Sequence, residues 1–236
     1  MRCTVFRVSP RNLRVDVRRR TPASAPCYST GILNLKDLSF HPNVFNDVEQ
    51  KILLSASLQK LDDVESRQFR RRRKEFLANN HGIVSQVSNS PQSWFFPDEY
   101  YNFEQGHYDG VIRNFREMHV STWPDLPELE PLLDRLRALH PQEPTQTHIL
   151  HLASDGEILP HVDNVEASGS WILGVSLGAT RTMRLRDTQD PQDIFEFALP
   201  SGSVYLQRDS TRYSYEHSIL KGNGGQRLSI MVRNRR

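Results

Sequence analysis

The apolar positions divide the chain into a helical part and a stranded part. From Asn46, the residues Ile52, Leu53, Ala56 and Leu61 recur near helical spacing. Asn46 can cap this helix, and Glu49 stands three residues on, where a capping box needs it. A second helix is read over Gly106 to Trp123 from Val111, Ile112, Phe115 and Met118. A third lies within Asp125 to Leu139, where Leu129, Leu132, Leu133, Leu136 and Leu139 form one stripe; Pro131 suits a first turn, so this helix is expected to begin near it. After Pro141 the texture changes to short apolar or alternating segments: Thr147 to Ala153, Ile158 to Asn164, Ser170 to Leu177, Thr182 to Arg186, Ile194 to Leu199, Ser203 to Gln207, Tyr215 to Leu220 and Arg227 to Arg233. Asp155-Gly156, Ser168-Gly169, Gly178, Asp190-Pro191, Ser201-Gly202 and Gly222 to Gly225 punctuate them. So many short strands in so little chain predict a jelly roll or another β-barrel, in an α+β, mainly β protein with its helices at the N-terminal side.

Composition sharpens this picture at the N-terminus. Residues 1–30 hold seven Arg, no Lys and one acid, Asp16, and are dotted with Ser and Thr, the composition of a mitochondrial transit peptide. Arg18-Arg19-Arg20 alone could also serve as a nuclear signal. Without this leader the body, residues 31–236, carries 23 basic and 27 acidic residues, a net −4 against +2 for the whole chain. A globally basic nucleic-acid binder is therefore not expected. Both cysteines, Cys3 and Cys27, fall in the leader, so a metal in the body must be held by His and carboxylate groups. No run approaches the ~18 apolar residues of a membrane span. The expected divisions are a leader at 1–30, a helical and loop region at 31–140, and a β core at 141–236.

Within the body, Arg67 to Lys74 is the one basic run. It is followed by a polar stretch, Asn79 to Ser93, and by aromatics at Trp94, Phe95, Phe96, Tyr100, Tyr101, Phe103 and Tyr108. Such a strip could hold phosphates and stack bases. The blander reading, a solvated helix face beside aromatics that pack on the core, is preferred here.

The candidate chemistry lies in the stranded half. His161 and Asp163 are two apart, which on a strand puts an imidazole and a carboxylate on one face. His217 adds a second imidazole. Two His and one carboxylate on one face of an iron leave the opposite face open, the ligand set of non-haem Fe(II) oxygenases. A His-x-Asp triplet alone is close to a chance expectation, and the chain has a second, His107-Tyr108-Asp109, which lacks a downstream partner and is set aside. The wider constellation is rarer: Arg227 and Arg233 share one strand face, with Leu228, Ile230 and Val232 on the other. Two guanidiniums on a face that would otherwise be core need anionic partners, which a dicarboxylate co-substrate would supply.

His-x-Asp, a His some fifty residues later and Arg-x5-Arg on the last strand together resemble the AlkB family of Fe(II)- and 2-oxoglutarate-dependent dioxygenases. The Arg-rich leader, Arg70 to Arg73, Ile112-Arg-Asn-Phe-Arg-Glu117, Pro160-His-Val-Asp163 and Ser203-Val-Tyr-Leu206 are similar to its mitochondrial branch, over about residues 37–233. The resemblance implies a double-stranded β-helix in which His161, Asp163 and His217 bind Fe(II). Arg227, aided by the Tyr205 hydroxyl, would hold the distal carboxylate of 2-oxoglutarate, and Arg233 the carboxylate nearer the metal. One departure is that many relatives carry Asn-x-Tyr ahead of His-x-Asp, where this chain has Leu150-His151-Leu152. The implied reaction consumes O2 and 2-oxoglutarate, yields succinate and CO2, and hydroxylates or oxidatively demethylates a protein or RNA substrate in the mitochondrial matrix, with the chain acting as a monomer. The competing readings are a cupin-like metal enzyme, which would have no use for Arg227 and Arg233, and a non-catalytic jelly-roll interaction protein.

Overall fold

Local signals account for most of the helices. Asn46 caps α1 (Asp47–Val64): its side chain accepts from the N–H groups of Val48 and Glu49, while the Glu49 carboxylate accepts from the Asn46 N–H at 2.9 Å. Donors that the first turn leaves open are thereby satisfied. One face of α1 buries Leu53, Leu54, Ala56 and Leu61. The basic run forms α2 (Arg67–Asn79), and α3 (Glu130–Arg137) carries Pro131 in its first turn, as expected. A short α4 (Asp209–Ser214) was not expected. The computed structural model describes residues 35–79, 91–164, 169–222 and 224–235. The leader of residues 1–30, with its expected transit peptide, lies outside the described residues, as do residues 80–90 of the polar stretch. Among the described residues no helix is long and apolar enough to cross a membrane.

Among the described residues there are ten strands, in chain order β1 (Leu38–His41), β2 (Glu104–Gly106), β3 (Ile112–Val120), β4 (Thr145–His161), β5 (Trp171–Gly178), β6 (Arg181–Asp187), β7 (Ile194–Leu199), β8 (Ser203–Arg208), β9 (Tyr215–Ile219) and β10 (Arg227–Asn234). All pair antiparallel, in the order β1-β8-β5-β10-β4-β9-β6-β7, with β3 also on β4 and β2 on β3. β4 is shared. One edge runs along β3 from Thr147 to Ile158; the other meets β10 as far as Leu152 and then β9 at Ile158 and His161. The sheet therefore forks at β4 and curls into the expected jelly roll.

Two expectations are corrected. Gly106 to Trp123 holds no helix; β3 occupies it. A bulge breaks the β3–β4 ladder at Asn114, whose φ of +49° suits Asn better than most residues: between the pairs Arg113–Glu157 and Phe115–Leu152 this one β3 residue faces residues 153–156 of β4, so the extra residues lie on β4. Ile112 and Phe115, three apart, consequently pack with the same core, and a strand mimics helical spacing. The two segments expected at Thr147 to Ala153 and Ile158 to Asn164 are one strand of 17 residues, and Asp155-Gly156, expected as a turn, lies inside it.

Two apolar cores result. One joins Leu53, Leu54 and Leu61 of α1 and Leu132, Leu133 and Leu136 of α3 to Leu173, Val175, Leu228 and Ile230 on the outer face of the larger sheet. The other fills the space between the sheets with Phe115, Leu150, Leu152 and Ile158 from one side and Met183, Leu185, Leu199 and Ile219 from the other. The aromatics after the basic run pack inward, as preferred, except Tyr108, which is exposed: Phe76 meets Phe96 and Tyr100, and Tyr101 meets Phe103 and the fully buried His151. Arg73, alone of the run, is buried, paired with Asp62 and Glu65.

At the fork a Cβ on Gly156 would stand 2.6 Å from the Asn114 carbonyl oxygen, a backbone atom that cannot rotate away. Gly156→Ala is expected to destabilise the fold by ~1–3 kcal/mol in chemical denaturation; an unchanged midpoint would show that the bulge does not need this close approach.

Candidate functional site

The fork places the predicted triad. His161 ends β4 and His217 is the central residue of β9; the two are direct cross-strand partners, with ring centroids 4.2 Å apart. Asp163 lies just past the end of β4 rather than on it, and its carboxylate turns back to 3.2 Å from His161 Nε2. Ligand atoms of all three lie within 4.8 Å of one another. Donors bound to one ion at ~2.1 Å stand roughly 3 Å apart, so the set could close on a metal with small adjustments. His161 Nδ1 lies 2.9 Å from the Leu159 carbonyl. Donating its N–H there would leave the Nε2 lone pair for a metal.

Electrostatics favour the ligand-ready forms of His217 and Asp163, and the protonated form of His161. Burial holds His217 down to about 4, against the pull of Asp163, so its imidazole is neutral near pH 7. Burial alone would raise Asp163, yet the charges of His217, His161 and Arg212 and the hydrogen bond from His161 outweigh it and hold the carboxyl well below its usual range. Burial likewise opposes the charged form of His161, but the hydrogen bond and charge of Asp163 prevail and raise it above an ordinary imidazole. Arg212, buried on α4, donates to the Asp163 backbone oxygen at 3.1 Å and ties down the segment that carries this ligand.

The arginine pair sits where its alternation requires, on the opposite face of β10 from the helix-packed Leu228, Ile230 and Val232. Arg227 is 1% exposed; its Nε donates to Ser176 Oγ at 3.0 Å, and its Nη2 has no hydrogen-bond partner. Burial lowers it to about 10, which still leaves it cationic at neutral pH. Among the described residues no carboxylate forms an ion pair with Arg227. The Tyr205 ring lies across Gly174 of β5, where a Cβ would come within 2.3 Å of it. Burial pushes the Tyr205 phenol up to about 12, against the charge of Arg227, so the neutral O–H is kept. The charges of both Arg227 and Asp163 also act on Tyr205. Half-buried Arg233 shares the Arg227 face six residues on, opposite Ile172 and Gln146, and its Nε has no partner.

Sequence reasoning missed other residues at this site. The set-aside triplet His107-Tyr108-Asp109 forms the turn between β2 and β3, closed by hydrogen bonds from His107 N–H to Ile112 and from Gly110 N–H to His107, and its Asp109 is close enough to His161 to influence it. Glu117 and His148 of the inner wall join it, 3.0 Å apart. In the segment matched to Asn-x-Tyr, Leu150 and Leu152 belong to the core between the sheets. His151 points the other way: it accepts from Arg116 Nε at Nδ1, with Nε2 2.9 Å from Gln226 Oε1.

A family model described as the 2OG-Fe(II) oxygenase superfamily matches residues 37–236. The chain belongs to that superfamily. Its members use Fe(II) and 2-oxoglutarate, for which the His-Asp-His set is a possible metal site. A Mus musculus protein named alpha-ketoglutarate-dependent dioxygenase alkB homolog 7, mitochondrial, is 36% identical over 145 residues, covering 56% of this chain and 65% of that protein. The match thus spans less than two thirds of the curated relative. Among solved structures, OsALKBH1 aligns with a TM-score of 0.51 at 14% identity, covering 84% of this chain and 98% of that one. A Trichoplax adhaerens prolyl hydroxylase, solved with a hypoxia inducible factor peptide fragment, gives 0.52 at 9% identity, covering 86% and 85%. Both likenesses concern the fold alone.

If this oxygenase chain binds its metal through His161, protons compete with the ion. His161 titrates above the ordinary imidazole value, so affinity for a divalent ion should fall as pH drops through that value, about tenfold per unit below it. Metal titrations across a pH series check this; flat affinity through the range would remove His161 from the ligand set.

Proposed function

We propose that this chain is an Fe(II)- and 2-oxoglutarate-dependent dioxygenase that hydroxylates or oxidatively demethylates a macromolecular substrate, a protein or an RNA. The observation that carries this reading is Arg227. A buried guanidinium with a free N–H and no carboxylate beside it is a costly feature for a core. A dianion next to the triad explains it, whereas a cupin-like metal enzyme or a non-catalytic jelly-roll protein would leave it without a counter-charge. The residues present therefore fit iron and 2-oxoglutarate together.

In this reading the neutral imidazoles of His161 and His217 and the ionised Asp163 hold the metal by one face. Arg227 forms charge-assisted hydrogen bonds to the distal carboxylate of 2-oxoglutarate. Tyr205 donates its O–H to the same end, kept in place by the absence of a side chain at Gly174. Arg233 takes the carboxylate nearer the metal. Ser176 holds the Arg227 guanidinium, and the apolar neighbours Leu150, Leu152 and Ile219 keep water out. When bound, iron and 2-oxoglutarate supply the oxidation, in which 2-oxoglutarate and O2 give succinate, CO2 and one oxygen atom for a substrate C–H bond. An N-methyl group so hydroxylated leaves as formaldehyde; other carbons stay hydroxylated.

Location is read from the leader and from the mitochondrial name of the mouse relative: residues 1–30 direct the chain to the mitochondrial matrix, where it acts as a monomer; the region 31–140 supplies α1 to α3 and also β1, β2 and β3 of the sheet whose other strands lie in 141–236.

Anaerobic addition of Fe(II) and 2-oxoglutarate is expected to produce a weak visible charge-transfer band. Arg227→Ala should weaken co-substrate affinity by roughly 100-fold, the scale of losing a charge-assisted pair. A folded wild-type protein without the band would sink the dioxygenase reading. Fused to a fluorescent reporter, residues 1–30 should carry it into mitochondria; a reporter left in the cytosol would refute the transit assignment.

A further inference from the structure

β3 and β4 place a polar chain on the inner wall of the larger sheet that the proposed metal and co-substrate contacts do not use. In register, His119 stands opposite His148, and His148 opposite Met231, in line with Gly174 and Tyr205. Glu117 lies one step deeper, opposite Leu150. Each oxygen of its carboxylate faces its own imidazole: Oε2 is 3.0 Å from His148 Nε2, and Oε1 is 3.5 Å from His107 Nε2. The other nitrogen of His107 stands 2.8 Å from Asp109, whose charge reaches His161. His148 is held on two sides, its edge by Glu117 and its face by the His119 ring, 4.8 Å away and within 16° of parallel. That leaves Nδ1 as the ring atom open to a ligand, on the same wall as Tyr205 and one register step from Arg233.

Glu117 has no Lys or Arg ion pair among the described residues. Burial works against its charge, but the hydrogen bond from His148 and the neighbouring imidazoles of His107 and His119 prevail and keep it ionised. An acid bridging two imidazoles on a wall that ends at a metal ligand fixes orientation, because it restrains both the ring on β4 and the turn between β2 and β3. Behind metal-ligating His residues, removing the group that orients the ring typically costs about 10–100-fold in affinity, and the same restraint applies to a ring that faces an anion.

We propose that Glu117 is a positioning residue for the co-substrate: it clamps His148 in one orientation on the co-substrate wall and, through His107 and Asp109, holds the β2–β3 turn against the metal-bearing strand. This rests on the dioxygenase reading. With both ring nitrogens carrying protons, His148 donates Nε2–H to Glu117 and Nδ1–H to 2-oxoglutarate, and Glu117 acts through it without touching the ligand.

The test is a double-mutant cycle read by equilibrium binding. 2-Oxoglutarate is titrated anaerobically into the Fe(II)-loaded protein and followed by the charge-transfer band, with Fe(II) affinity and thermal midpoint measured alongside. Glu117→Gln, which keeps the shape but replaces one acceptor oxygen by a donor, should weaken 2-oxoglutarate binding roughly tenfold while Fe(II) affinity and the midpoint hold; in turnover, KM should move more than kcat. Glu117→Gln added to His148→Gln should cost no further 2-oxoglutarate affinity, since it is the His148 arm of the clamp that bears on the ligand and that ring is already gone. Should Glu117→Gln fail to fold, Glu117→Asp carries the same expectation, because it retains the charge but withdraws it by one methylene. Unchanged affinity in a folded Glu117 variant, or fully additive losses in the double mutant, would overturn the clamp alone. A wild-type protein without the band would overturn the dioxygenase reading and the clamp with it.

Discussion

β4 has two edges and three partners, and the molecule is shaped by that mismatch. β3 occupies one edge along most of its length, so β10 and β9 must share the other, one after the other. Two strands can follow each other on one edge only if the sheet bends between them, here between Leu152 and Ile158. The extra β4 residues opposite Asn114 and the missing side chain at Gly156 supply the bend, and the Asn114 side chain fastens it by donating to Asp155 at 3.0 Å. Beyond it, β4 leaves the larger sheet and delivers His161 to the strand that bears His217. The triad exists because the fork does: on a flat sheet β10 would continue along β4 and His217 would have no place beside His161.

The space between the diverging sheets is a core with a polar seam. Leu150, Leu152, Leu185 and Ile219 fill it, yet Arg227, Ser229, Ser176 and Tyr205 lie among them. A fully buried Leu stabilises by ~1.5–3 kcal/mol, whereas an ionised group taken from water without a partner costs several kcal/mol. Stability alone would therefore place an aliphatic residue at 227. The chain can carry the penalty because a second core, between the larger sheet and α1 and α3, gathers apolar side chains from the opposite face of β10. The division of labour is readable in β10 itself, where even-numbered residues secure the helices and odd-numbered ones face the site.

That alternation is also why the arginine pair was legible in the sequence, as was the triad from its spacing and Asn46 from its capping box. Glu117 and His148 were not, and for a physical reason: the bulge made β3 look helical, and a helix assigns Glu117 no face shared with His148. The Asp155-Gly156 pair misled in the same way, since a glycine needed for a close backbone approach reads like one needed for a turn. Tyr205 came only from resemblance to a family, because a tyrosine in an apolar strand announces nothing; the cue, Gly174 across the ladder, requires the pairing to be known. His107-Tyr108-Asp109 was set aside on frequency grounds, which are blind to the hairpin that folds it back toward His161.

The region ahead of the core looks like a detachable cover in the sequence, but its interactions make most of it wall. Arg73 and Arg116 share Asp62 and Glu65, and Arg116 donates to His151, which pairs with Gln226; Gln226 in turn donates to the Phe96 carbonyl and to Asp98. This buried network runs from the two N-terminal helices to the residue beside Arg227. Moving Phe95 to Phe103 away would strip His151 of its aromatic packing and Gln226 of its acceptors, both costly in a core. The other basic residues of α2 belong to its outer surface, and Arg73, the one turned inward, is neutralised where it stands. The turn between β2 and β3 is tied less firmly, with Tyr108 94% exposed at its tip and Asp109 held by the Val111 N–H and beside His107. A substrate that approaches the triad from this side meets the turn first, and the stiffness of that turn depends on whatever holds His107 from behind.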